Sequence, residues 1–138
     1  MKRSILRTGL IALSMLVASV ALAAPAADAL SSILAARQSL VTLLDTTDAA
    51  KQGALEAEIA KASKSVDAAI SAGLADKAAA PKFKELKDLW DAFKKTRDTE
   101  IVPSVKAGKV DAAKALAKGV QAERLAKMKE ILAGLGAK

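Results

Sequence analysis

The chain of 138 residues contains no histidine, no cysteine and no tyrosine, and its aromatic residues are one tryptophan and two phenylalanines. Each absence removes a class of chemistry. Without histidine and cysteine there is no Ser-His-Asp or Cys-His nucleophile, no ordinary zinc or copper centre and no His-ligated haem. Without cysteine no disulfide framework can staple the fold, so stability has to come from packing. The seven glycines stand singly, which leaves no glycine-rich phosphate loop. Lysines alternate with acids and the aromatics fall on an apolar stripe, so the basic patch interleaved with stacking aromatics that nucleic-acid binding requires is missing. The sequence therefore predicts no catalytic residues, no metal, no cofactor and no nucleic-acid partner.

What is present begins with a targeting pattern. Lys2, Arg3 and Arg7 precede an apolar run from Gly9 to Val20, which leads into Ala21-Leu22-Ala23. A basic start, a short apolar core and a small-x-small end are the marks of a signal peptide over residues 1–23, cut between Ala23 and Ala24 and delivering the rest to the periplasm. Retained, the same segment would be an apolar membrane anchor. Residues 24–138 then carry 19 Lys and Arg against 15 Asp and Glu, so much of the formal charge of +7 belongs to the targeting segment.

The remainder reads as one all-α domain. Alanine, leucine, lysine and acidic residues dominate, and β-branched residues are scattered singly. Apolar positions recur at three- and four-residue steps. Leu30, Ile33, Leu34, Leu40, Val41 and Leu44 predict a helix over about 27–45, and Leu55, Ile59, Ala62, Val66 and Ile70 a second over 48–72. The second has Thr47 as its expected N-cap and Gly73 as its stop. A third opens at Pro81 and runs through Phe83, Leu86, Trp90, Phe93, Arg97 and Ile101 to about 106, with a kink or an early end expected at Pro103. Gly108 closes it, and a fourth covers 110–134 through Ala113, Ala117, Val120, Arg124 or Leu125, Met128 and Leu132. Four amphipathic helices with short connections predict an antiparallel up-down-up-down four-helix bundle. Phe83, Trp90, Phe93 and Met128 are its expected core anchors.

Charged residues mostly suit an outer surface, with Asp91–Lys95 and Glu123–Lys127 spaced as acid-first i, i+4 pairs. The exceptions are the arginines. Residues 24–138 hold sixteen lysines but three arginines, Arg37, Arg97 and Arg124, all on or beside apolar stripes. The planar guanidinium is weakly hydrated and offers a fixed fork of donors to a carboxylate, so it tolerates half-burial better than an ammonium. Each either pairs internally, as Arg97 could with Glu100 one turn on, or serves an anionic ligand, for which Arg37 is the first choice.

The string Leu86, Trp90, Phe93, Arg97-Asp98, Ile101, Pro103 and Gly108 resembles the sensory four-helix bundle of methyl-accepting chemoreceptors. The likeness extends back to Asp48, Leu55 and Ile59 and forward to Ala113, Leu116, Gly119 and Met128. It implies a periplasmic module that captures a small anionic ligand or docks on a membrane sensor protein, with arginines of the first helix engaging carboxylates at a homodimer interface; Arg37 matches that position. No second span or signalling helix follows before Lys138, which implies a stand-alone version. A second resemblance, around Gly108-Lys109-Val110 and the alanine-rich last helix, is to cytochrome b562, whose haem needs a histidine that this chain lacks. The alternative from another class is a structural or chaperone-like envelope protein.

Overall fold

In a computed structural model the backbone is described for residues 17–138 and the side chains for residues 23–138. The basic start and most of the apolar run of the expected signal peptide lie outside the described residues. The fold is all-helical: α1 (Val17–Leu44), α2 (Ala49–Leu74), α3 (Ala80–Thr96), a π-helical turn (Arg97–Ile101), α4 (Val102–Lys106), α5 (Val110–Lys118) and α6 (Val120–Gly134). In space these make four helices, because the π-turn joins α3 to α4 and α5 abuts α6 at Gly119. Contacts run from α1 to α2, α2 to α3, α3 to α6 and α6 back to α1, so each helix has two neighbours around one core.

The buried positions explain why the helices pair. On α1 the main seam is Ala26, Ala29, Ile33, Ala36, Leu40 and Leu43, with Leu44 beside it; on α2 it is Ile59, Ser63, Val66, Ile70 and Gly73, with Ala69 beside it. Alternating steps of three and four keep one seam facing the partner helix, the 3.5-residue rhythm of coiled-coil packing. Small residues in both seams let the helices approach closely, and the large side chains fill the opposite half, where Phe83, Trp90, Phe93 and Met128 are fully buried. Among the described residues no helix is long and apolar enough to cross a membrane.

Several boundaries differ from expectation, each for a local reason. The first helix begins well before residue 27 and passes through Pro25, which stands inside it. Asp48, not Thr47, caps α2: its backbone is extended, and its carboxylate accepts the Lys51 N–H at 2.9 Å. Gly73 does not stop α2, which continues to Leu74; it is buried beneath the Phe83 ring, where a side chain would collide. The turn into α3 is made by Asp76, whose Oδ1 accepts the N–H groups of Ala78 (2.8 Å) and Ala79 (3.0 Å).

The largest departure lies around Pro103, beyond which the helix continues to Lys106. Phe83, Leu86, Trp90, Phe93 and Arg97 are buried in three-four rhythm. Continued as regular α-helix, that rhythm would next bury Glu100 and Ser104, yet Ile101 and Val105 are the buried residues. One extra residue is absorbed by the π-turn, where the Val102 N–H bonds the carbonyl of Arg97, five residues back. A proline in a regular helix clashes with the carbonyl four residues earlier. For Pro103 that carbonyl belongs to Thr99, in the middle of the π-turn, and the helix goes on to Lys106. Gly108 (φ 74°) then closes it with a Lys109 N–H to Ser104 carbonyl bond of 2.8 Å. The expected single helix over 110–134 is interrupted at Gly119.

Candidate functional site

The three arginines meet different fates. Arg97, at the head of the π-turn, is 5 % exposed. Its Nη1 donates to Ser63 Oγ at 2.8 Å, and its Nε and Nη2 donate to the two carboxylate oxygens of Asp98 at 2.6 and 3.1 Å. The guanidinium carbon lies 6.0 Å from the centre of the Trp90 ring, and that ring stacks on Phe93 with centroids 5.5 Å apart. Glu100, the expected partner, is exposed, because the π-turn rotates it away from the seam. The neighbour Asp98 meets the fork with both oxygens instead.

Arg124 on α6 is half-buried and is bonded through its Nη1. Its Nη1 donates to Thr96 Oγ1 (2.8 Å), Gln121 Oε1 (3.0 Å) and the carbonyl of Ala92 (3.2 Å). Gln121, 0 % exposed, completes the fastening by donating to the Phe93 carbonyl at 2.9 Å. Buried polar groups are stable only when matched in this way. Val120, expected on the apolar stripe, is half-buried, and Gln121 takes the buried position instead. Ser63, Thr96 and Asp98 were likewise missed. The signal for Gln121 was its four-residue step from Ala117.

Arg37 on α1 is the exception. It is half-buried, and its Nη1 is enclosed without any hydrogen-bond partner. No carboxylate forms a salt bridge with it among the described residues, and burial pushes its pKa down. An enclosed donor without an acceptor costs about 1–3 kcal/mol, more for a charged group.

The remaining charges belong to the surface. Asp91 pairs with Lys87 and, at 3.3 Å, with Lys94 rather than with Lys95. Asp67 accepts the Trp90 indole N–H at 3.0 Å and the Lys94 ammonium at 2.8 Å. An open groove of about 760 Å³ lies between α2 and the π-turn, with Ile59, Val102 and Pro103 beside the Arg97–Asp98 and Lys106–Glu56 pairs. No group of three or more acidic residues is placed to hold a metal among the described residues.

Comparison with known protein families, curated proteins and solved structures finds no match for this chain. Of the three arginines, Arg97 and Arg124 are bonded within the fold, and the Nη1 of Arg37 is not.

Proposed function

We propose that the chain is an exported, non-enzymatic binding module on an antiparallel up-down-up-down four-helix bundle, similar to a stand-alone chemoreceptor sensory domain, in which Arg37 receives the carboxylate of a small anionic ligand or of a membrane sensor protein. The enclosed, unpartnered Nη1 of Arg37 carries this reading. Arg97 and Arg124, the other two candidates, serve the fold. The bundle topology is supported by opposed registers: Ser63 meets Arg97 while Gly73 meets Phe83, and Phe93 meets Gln121 while Ala92 meets Arg124. Periplasmic export is supported by the Ala23–Ala24 site, since cleavage there would leave Pro25 in the first helical turn, where its missing N–H is harmless.

The chaperone-like alternative needs exposed apolar surface, and Leu34, 42 % exposed, is the single large apolar side chain so placed among the described residues. A haem-free likeness to cytochrome b562 would leave Met128 the core residue it is here, fully buried. The test is a panel of mono- and dicarboxylates followed by thermal shift and calorimetry. Wild type binds at least one member, Arg37→Ala binds none, and Arg37→Lys, which keeps the charge but loses the fork, binds weakly. An Arg37→Ala protein with the same ligand profile as wild type overturns the proposal.

A further inference from the structure

Both long helices of the second half are interrupted at the same level of the bundle. On one side of that level α3 and α6 are fastened by buried bonds, Gln121 to the Phe93 carbonyl and Arg124 to Thr96 and the Ala92 carbonyl. Immediately beyond, the π-turn starts at Arg97 in one helix and Gly119 breaks the other. The chain between the interruptions, residues 102–118, is a short helical hairpin made of α4, the turn at Gly108 and α5.

This hairpin is thinly anchored. Its buried side chains are Val105, Ala113 and Ala117, whereas α3 alone buries Phe83, Leu86, Trp90 and Phe93. Val102 and Leu116 add partly buried contacts with the core, and two surface ion pairs complete the ties: Lys106 to Glu56 of α2 at 2.8 Å, and Lys114 to Asp45 beside the end of α1 at 2.6 Å. Segments with few buried apolar contacts open below the global unfolding free energy, and π-turns and helix breaks are where such motion is absorbed. Val102, Pro103 and Lys106 of the hairpin form one wall of the groove whose opposite wall is Ile59 and Glu56 of α2.

We infer that α4, the Gly108 turn and α5 form a hinged tip that swings as a unit about the π-turn and Gly119, away from α2, widening the groove and uncovering the Arg97 guanidinium beneath it. The inference is independent of whether Arg37 binds an anion. Native-state hydrogen exchange on the full chain tests it. Amides of 104–118 exchange together and about tenfold or more ahead of those of 86–96, and Glu56→Gln speeds the tip by roughly two- to fivefold while leaving 86–96 unchanged. Because the chain has no cysteine, Glu56→Cys with Lys106→Cys can be joined by a short thiol-reactive linker. Joining them slows the tip to the rate of α3, and Asp45→Cys with Lys114→Cys provides an independent clamp. Tip amides that exchange no faster than α3 in wild type, or that ignore both clamps, overturn the inference.

Discussion

Two glycines of α2 put the packing argument to a quantitative test, because the same substitution has opposite signs at them. Gly53 has open space around it: a Cβ built there meets nothing within 4 Å. Gly53→Ala should thus realise the helix-propensity gain alone, about 0.5–1 kcal/mol. At Gly73 a Cβ would sit far inside contact distance of Cδ1, Cε1 and Cζ of the Phe83 ring. Ordinary carbon contacts lie at about 3.5–4 Å, so more than an ångström must be recovered by moving the ring or the helix. Phe83 is 0 % exposed and has no free direction to retreat into. Overpacking of this kind costs about 1–3 kcal/mol, which exceeds the propensity gain, so Gly73→Ala should be net destabilising by about 1–2 kcal/mol.

Thermal unfolding followed by circular dichroism reads both variants, with about 4 °C expected per kcal/mol for a domain of this size. A double-mutant cycle separates collision from any general intolerance of α2. Phe83→Leu alone costs about 1–2 kcal/mol, and combined with Gly73→Ala it should cost less than the sum by roughly 1 kcal/mol, because the smaller side chain vacates the space that the methyl needs. A Gly73→Ala protein that melts above wild type, or a cycle with no coupling, refutes the close approach of Phe83 to the α2 backbone.

Three further outcomes follow from single interactions. Asp48→Ala should lower stability by about 1 kcal/mol in a urea titration while Thr47→Ala changes it by less than about 0.5, since the carboxylate of Asp48 is what the Lys51 N–H meets. Gln121→Leu removes the donor to the Phe93 carbonyl and one of the acceptors of Arg124 in a fully buried setting, so a loss of about 1–3 kcal/mol is expected by the same titration. The Asp91 carboxyl is held below the usual carboxylate range, chiefly by the hydrogen bond from Lys87 and then by that from Lys94. A depressed folded pKa contributes stability that is complete above the unfolded value of about 3.9 and is lost as pH falls through the folded value. Carbon-detected NMR titration should accordingly show Asp91 titrating higher in Lys87→Met than in wild type, with an unmoved Asp91 telling against the pairing.

The parts of this fold that were legible in the sequence are those governed by repetition along one helix. The apolar rhythms of α2 and α3 carry their own period, and the seams that bury Phe83, Trp90, Phe93 and Met128 follow from spacing alone. Caps are less legible, because Thr47 and Asp48 are both good N-caps and the choice depends on where the backbone leaves its extended conformation. The partners within the polar interior are not legible. Arg97 meets Ser63 and Arg124 meets Thr96 and the Ala92 carbonyl across 28 to 34 residues of sequence, so nothing local distinguishes a satisfied arginine from an orphaned one.

One non-obvious feature was nonetheless encoded locally. In helix three the burial steps run three, four, three, four from Phe83 to Arg97 and then four, four to Val105. Three consecutive fours in a 3.5-residue pattern mean one residue too many for a straight seam, and Pro103 stands within that stretch. A continuous α-helix would have to bury Glu100 and Ser104 or abandon the seam, and it would drive the Pro103 ring into the carbonyl of Thr99. A π-turn over Arg97–Ile101 resolves both conflicts at once, keeping Ile101 and Val105 inside while freeing the carbonyl that the proline cannot use. It also puts Arg97 and Asp98 side by side at the groove. The same residues that look like a helix-ending proline and a loose arginine are thus parts of one local solution.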